Sequence, residues 1–366
     1  MGDALSNSAN FSNQEIVNAS ELDAFFPRVG SDGNWVWGKS QDGLPAVMQR
    51  LLVEHDFVNA VRKSIGLPFE IVRDFNGVRV NGTSPLGEKF YAIMRIPLLK
   101  VPDNFSVCDH VRVFRDIQTT LGHADFQFTG NPSYVISLSG TCEGEVVNGF
   151  VQRLRETTKR KRFSEASKES SSLISNWNSG FKRYLQRQIE SNPHLHCIRL
   201  ELQTQPTNSD TNDAREAQDQ IQAFFATVTS DLVTAVPGFW WKREFRSEIG
   251  FSHHAIILWD AYFMSDRHAL LQELHKRWQS ATKGNGQLFN LSPDPNNYRT
   301  WGLGSLWTCA EHLQRSVRLM LAREQYVRLS SSDSFAPVGM GKLPKAIKIG
   351  VINGPSTILS TWKSYI

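Results

Sequence analysis

The hydrophobic pattern between residues 194 and 330 constrains the fold more than any other feature of the sequence. Apolar residues there first alternate with polar ones, which predicts a strand with one buried face, and then recur at helical spacing. Over the whole region the two patterns follow one another in the order strand, helix, strand, strand, helix, helix. The segments are LHCIRLELQ (195–203), AREAQDQIQAFFATVTSDLVTAV (214–236), WWKREFRSE (240–248), FSHHAIILWDAYF (251–263), DRHALLQELHKRWQSATKG (266–284) and LWTCAEHLQRSVRLMLAREQYVRL (306–329). This order predicts an α+β domain in which helices cover one face of an antiparallel sheet.

The remainder of the chain divides around this domain. A helical pattern over residues 44–66 and a hairpin signal at Asn76-Gly77 predict a smaller N-terminal α/β region, in which we find no motif that carries chemistry. A charged, serine-rich stretch then leads into a predicted helix that ends at Asn192-Pro193. The predicted divisions are a flexible lead-in (1–35), an N-terminal α/β domain of unknown role (36–150), a basic helical linker (151–193), the C-terminal domain (194–330) and a C-terminal tail (331–366).

Composition places the chain among ordinary globular proteins. Its 366 residues are 40% hydrophobic and 21% charged, which is enough for about two domains. The four cysteines are scattered without a C-x-x-C pair, so we expect reduced thiols rather than a zinc ribbon or a disulfide framework. The N-terminus is polar, and no run approaches the roughly 18 apolar residues of a membrane span. We therefore expect a cytoplasmic protein with no membrane partner.

The distribution of charge is more informative than the net charge of +4. Lys159, Arg160, Lys161 and Arg162 are consecutive, and further cations lie on both sides of them. Such a cluster neutralises several phosphates when it binds a nucleic acid. A solvated helix face is an equally frequent explanation of one charge run, and the sequence leaves both open.

Four motifs of the C-terminal domain stand in the order and at the spacing of a known family. They are IRLEL (198–202), WKRE (241–244), GFSHHAIILWD (250–260) and LMLAREQYVRL (319–329). Together they resemble the inovirus-type replication proteins and their prophage-encoded relatives, within the HUH superfamily of rolling-circle endonucleases. The resemblance covers residues 194–329. It implies an HUH-like antiparallel sheet covered by helices, and a role in DNA binding and replication.

The resemblance also implies a mechanism. In such enzymes two histidines of one strand and a further polar ligand hold a divalent metal, Mg²⁺ or Mn²⁺, which polarises the scissile phosphate. A tyrosine of a facing helix attacks phosphorus and remains linked to the 5′ end, assisted by a lysine. The candidate metal ligands here are His253, His254 and Glu244. The candidate catalytic residues are Tyr326, as a displaced nucleophile, and Arg323, in the place of the lysine.

The sequence departs from the family pattern at these positions. The histidine motif aligns on Ser252 and His254, and His253 is expected on the opposite face of the strand because side chains alternate. The family's tyrosine aligns on Met320, six residues before Tyr326. The alternative to metal binding, which the residues favour, is that one of His253 and His254 is buried and hydrogen-bonded and the other lies on the surface. The active site is expected to be degenerate.

Three functions remain open at this stage. The residues favour a DNA-binding relative that recognises single-stranded or hairpin DNA and whose nicking activity is reduced or lost. The activity that is typical of the family favours an active, metal-dependent nicking and joining endonuclease. The third possibility is a non-enzymatic interaction or interference factor whose N-terminal half docks a host replication protein. Whether the chain is an enzyme is left undecided by its sequence.

Overall fold

A computed structural model of the chain describes residues 11–23, 25–29, 35–39, 44–75, 77–120, 128–204, 214–246, 248–291, 294, 296–330 and 337–341. The helices within these ranges are α1 (Asn13–Asp23), α2 (Leu44–Lys63), α3 (Pro85–Met94), α4 (Asp109–Thr120), α5 (Glu143–Lys159), α6 (Lys161–Ser191), α7 (Ala214–Asp231), α8 (Arg267–Ala281) and α9 (Leu306–Ala322). The strands are β1 (Phe25–Val29), β2 (Trp35–Lys39), β3 (Phe69–Asp74), β4 (Gly77–Thr83), β5 (Phe105–Val107), β6 (Leu195–Thr204), β7 (Gly238–Arg246), β8 (Gly250–Asp260), β9 (Gly286–Asn290), β10 (Gly304–Ser305), β11 (Val327–Leu329) and β12 (Val338–Met340). Short 3₁₀ turns span Tyr298–Thr300 and Arg323–Gln325.

A six-stranded antiparallel sheet organises the C-terminal half. Its strand order is β10-β6-β8-β7-β12, and β9 pairs with the remaining length of β6. The predicted α+β class and the three predicted strands are confirmed, because β6, β8 and β7 form the centre of this sheet. The prediction that residues 331–366 are only a tail is wrong at Val338–Met340, which form an edge strand beside β7.

Both faces of the sheet are covered by helices, whereas the pattern predicted cover on one face. One hydrophobic cluster joins β6, β7 and β8 to α7 and α8, and a second joins the opposite face to α6 and α9. The cause is visible in β8, in which every residue is buried. Helix α6 supplies much of the second layer, so the segment predicted as a linker packs against the sheet.

The N-terminal half is built on helices α2 to α5, which share a hydrophobic cluster with the β3–β4 hairpin. The predicted hairpin is confirmed by its antiparallel register, in which Asp74 pairs with Gly77. Gly77 has a φ of +112°, a conformation that glycine adopts without strain. Asn76, the other residue of the predicted turn, lies outside the described residues.

The two halves share one apolar cluster. Strand β11, which follows α9, pairs with β5 of the N-terminal half, and Tyr326 and Val327 are buried together with residues of α2. Residues 13–23 of the predicted flexible lead-in form α1, which packs against α2 and α9. Helix α1 is held in these contacts by Ile16 and Ala19, whose side chains are buried. In the described part of the chain, no helix has the length and apolarity needed to cross a bilayer.

Candidate functional site

One face of the sheet changes from apolar to ionic along its strands. In the register of β6, β8 and β7, Glu201 pairs with His254 and His254 with Lys242, while Ser252 pairs with Glu244. Side chains two residues apart share a face, so these groups point toward α9. They are all buried. Three of the predicted or aligned positions, Ser252, His254 and Glu244, therefore meet in one cluster together with Glu201.

A guanidinium nitrogen lies at the centre of this cluster. Nη2 of Arg299 is 2.7 Å from Oε2 of Glu201, 3.0 Å from Oε2 of Glu244 and 3.2 Å from Nδ1 of His254. Two carboxylates and one imidazole thus converge on one point, although the three side chains are not grouped so as to hold a metal ion. Here a protein cation stands at that point.

A second guanidinium completes the neutralisation of the carboxylates. Arg246 donates to Glu201 at 2.7 Å, to Glu244 at 2.8 Å and to the hydroxyl of Ser252 at 3.0 Å. The Ser252 hydroxyl itself donates to Glu201 at 2.9 Å. Bonds between ionised groups are stronger than neutral ones, and each carboxylate here is shared by two arginines.

Arg199 links the cluster to the elements that cover it. Its Nε donates to Nε2 of His254 at 3.0 Å, and its Nη1 donates to the carbonyl of Trp301 and to the hydroxyl of Ser316. Its Nη2 lies 3.8 Å from the sulfur of Met320. Burial lowers the pKa of Arg199 to about 9, so the group remains protonated at neutral pH. The covering helix α9 is therefore held through a charged side chain of the sheet.

The charges fix the protonation of the acidic and imidazole groups. Burial alone would raise the pKa of Glu244, but the guanidinium groups of Arg299 and Arg246 hold that pKa well below its ordinary value. Burial, together with Arg199 and Arg299, holds the pKa of His254 well below its ordinary value. His254 is thus neutral, with one ring nitrogen protonated. Since both nitrogens face guanidinium groups, neither presents a free lone pair to an incoming metal ion.

His253 does not belong to this cluster. Its ring packs edge-on against Trp241, with 5.5 Å between centroids, and lies 6.2 Å from Trp278 on the opposite face of the sheet. The predicted set of His253, His254 and Glu244 on one metal ion is therefore wrong, because adjacent strand residues point to opposite faces. Across the described ranges, no three or more His, Cys, Asp and Glu side chains are grouped so as to hold a metal ion.

The predicted catalytic residues lie in one turn, but their side chains have different surroundings. Arg323 is mostly buried and close enough to contribute to the lowered pKa of Glu244. Tyr326 instead turns to the N-terminal half, where its ring meets that of His55 edge-on at 4.9 Å. Burial, with smaller contributions from Asp56 and Cys108, raises the pKa of Tyr326 to about 12. Met320, on which the family's tyrosine aligns, and Ser316 are the residues of α9 that contact Arg199 of the cluster.

A buried lysine extends the ionic region to the end of α9. Nζ of Lys242 lies 3.1 Å from Oε1 of Glu324 and donates to the carbonyl of Met320 at 3.1 Å. The sequence interpretation missed this pair and all three arginines of the cluster. For Arg199, Lys242 and Arg246 a signal existed, since each is a cation on the same face of a predicted strand as Glu201 or Glu244. Arg299 lies in a 3₁₀ turn of three residues and carried no such signal.

The predicted DNA-binding residues lie at the junction of α5 and α6. Arg160, with φ −64° and ψ 139°, interrupts the helical conformation between them. Lys159, Arg160, Lys161 and Arg162 are all exposed. Lys161 lies 3.5 Å from the carboxylate of Glu165, and the other three form no ion pair with any described residue.

Comparison with known proteins gives no relative for this chain. No protein-family model matches it, no curated protein matches it, and no solved structure matches it. The resemblance to rolling-circle initiators rests on the sequence motifs of residues 194–329.

Removal of the central guanidinium is predicted to open a metal site. Arg299→Ala leaves Glu201 and Glu244 underneutralised, and loss of one partner of a buried pair typically costs about 3–5 kcal/mol. Millimolar Mn²⁺ should then raise the melting temperature of Arg299→Ala and leave that of the unmodified protein unchanged. The control Arg299→Ala with Glu201→Gln should lose the response. A Mn²⁺-dependent rise in the unmodified protein that disappears in His254→Ala would contradict this account.

His253 is predicted to make the fold sensitive to acid. Burial, and then Arg243, lower the pKa of His253 to about 3 in the folded state. The unfolded chain takes up this proton below about pH 6.5, so stability is full above that pH and falls by up to about 1.4 kcal/mol per pH unit below it. The free energy of unfolding, measured with denaturant between pH 6 and 4, should fall less steeply with decreasing pH in His253→Leu than in the unmodified protein, by up to this amount. At pH 7.5 His253→Leu should lose no stability from a broken hydrogen bond of Nε2, because this atom has no partner among the described residues. An unchanged slope would contradict the prediction.

Proposed function

We propose that this protein is a DNA-binding relative of the rolling-circle replication initiators of phage and prophage elements, and that its nicking activity is lost. The observation that carries the proposal is the position of Arg299, whose guanidinium occupies the point on which Glu201, Glu244 and His254 converge. In the enzymes that the sequence resembles, two histidines of the strand that corresponds to β8 and a further polar ligand hold a metal ion, whereas here only His254 of that strand faces the cluster.

Replacement of a metal by a guanidinium changes what the site can do. A divalent ion withdraws electron density from the scissile phosphate through an open coordination position. Arg299 is instead saturated by its own protein partners, and Glu201 and His254 are buried. A phosphate reaches these groups only after α9 has moved away. The cluster therefore supports a structural role for the former catalytic face.

The nucleophile position supports the same conclusion. Met320 faces the cluster, and a thioether has no proton to lose and does not attack phosphate. Tyr326 is buried against His55, and its raised pKa disfavours the phenolate that would attack phosphorus. The active-endonuclease alternative requires Tyr326 to leave this packing.

DNA binding is supported by the junction of α5 and α6. Cations in the first turn of a helix oppose the helix dipole, at a cost of about 0.3–1 kcal/mol each. Lys161 and Arg162 occupy that turn of α6, and Lys159 and Arg160 precede it without compensating carboxylates. Lys159, in the last turn of α5, is favourable for the dipole of that helix, but the fold gains little from Lys161 and Arg162 at the start of α6. A phosphate backbone would be neutralised by all four cations. Single-stranded or hairpin DNA is the class of ligand that the resemblance implies.

A binding and cleavage assay tests the proposal. Labelled single-stranded and hairpin DNA, with Mn²⁺ or Mg²⁺ present, should be bound in a salt-sensitive manner without a covalent protein–DNA adduct. The triple variant Lys159→Ala, Arg160→Ala and Lys161→Ala should weaken binding, and the slope of log K against log salt should fall by about 2, since each single-strand phosphate contact contributes about 0.7.

The matched control removes the same charge elsewhere. Lys63, Lys89 and Lys276 are exposed on α2, α3 and α8, and their joint replacement by alanine should leave most of the affinity intact. A covalent adduct that disappears in Tyr326→Phe would show an active nicking enzyme. Absence of binding to both DNA forms would contradict the DNA-binding proposal itself.

A further inference from the structure

Three aromatic rings are exposed together at one end of the central sheet. The turn after β8 presents Tyr262 and Phe263, which are 79% and 61% exposed, with 5.5 Å between their ring centroids. The ring of His194, just before β6, lies 6.4 Å from that of Tyr262. We call His194, Tyr262 and Phe263 the aromatic end. Large exposed rings in contact with one another are unusual on a protein surface and mark interaction sites.

The backbone that carries these rings is fixed. The carboxylate of Asp260 accepts hydrogen bonds from the backbone N–H of Tyr262 at 2.8 Å and from the side-chain amide of Asn192. The N–H of Met264 donates to the carbonyl of Asp260 at 3.1 Å. The rings are thus exposed on a turn that is bonded to the end of α6, and their exposure is not the result of a loose loop. A preordered surface binds with a smaller entropic cost.

The helix that leads into the aromatic end carries exposed cations. Helix α6 ends at Ser191, three residues before His194, and its last turns carry the exposed cations Lys182, Arg183 and Arg187. Arg187 precedes Ser191 by about one helical turn, or about 6 Å along the axis. Open aromatic faces beside cations are the combination that binds single-stranded nucleic acids, in which bases stack and phosphates are neutralised.

We propose that the aromatic end stacks the unpaired bases of single-stranded DNA, with Tyr262 and Phe263 as the stacking residues. This inference rests on the proposed DNA-binding function and assigns it a second contact surface. The faces of bases in a duplex are already stacked on their neighbours and cannot reach these rings. The surface therefore gives a preference for single-stranded over duplex DNA.

The test measures binding of the full chain to a fluorescein-labelled thymidine homopolymer and to a duplex of equal length. Tyr262→Ala with Phe263→Ala should weaken single-strand binding by about 5- to 150-fold for each stacked base, from 1–3 kcal/mol per base. Duplex binding should change little. Tyr262→Trp with Phe263→Trp should keep single-strand affinity or increase it. Stacking is not ionic, so the salt slope of the double alanine variant should equal that of the unmodified protein.

The control and the outcomes separate this inference from the proposed function. Phe75, which is 98% exposed on the β3–β4 hairpin, is an equally exposed aromatic residue, and Phe75→Ala should leave affinity unchanged. If the unmodified protein binds the homopolymer and Tyr262→Ala with Phe263→Ala binds equally well, the aromatic end is not a base-stacking site, and the proposed function stands. Equal losses in single-strand and duplex binding would also overturn the stacking assignment. If the unmodified protein binds neither DNA, both proposals fail.

Discussion

The contact of Arg299 with Glu201 and Glu244 is the interaction on which the C-terminal half depends. Two carboxylates buried on one sheet face are unstable without counter-charges, because transfer of each from water costs several kcal/mol. Arg299 supplies one counter-charge from the turn before α9, and Arg246 supplies another from the end of β7. The ionic half of the sheet is therefore stable only while the turn Tyr298–Thr300 remains packed against it. Arg199 adds direct bonds to the same turn and to α9.

This dependence joins the two halves of the molecule. Helix α9 covers the charged cluster and continues into β11, which pairs with β5 of the N-terminal half. Tyr326 lies at this connection, against His55 of α2. A movement that exposed the cluster would disturb the apolar cluster shared by both halves. The ionic face of the sheet therefore lies at the contact between the two halves of the molecule.

Much of the sheet was predictable and the content of its polar face was not. Alternating residues in β6 and β8 identified the strands, and the period of two correctly placed His253 away from His254. The second helical layer was missed because the charged and serine-rich surface of α6 hides the buried stripe that contains Phe181 and Tyr184. The central cation was missed because Arg299 lies in a 3₁₀ turn of three residues, and so short a segment has no periodicity that would indicate a partner. Edge strand β12 is too short, at three residues, for alternation to be visible.

The most direct test of the central claim is anomalous X-ray diffraction from crystals of the unmodified protein soaked in Mn²⁺. We predict electron density for the Arg299 guanidinium between Glu201 and Glu244, with no anomalous peak within bonding distance of either carboxylate or of His254. An anomalous peak at that point, with Arg299 turned away, would contradict the account and identify a metal centre.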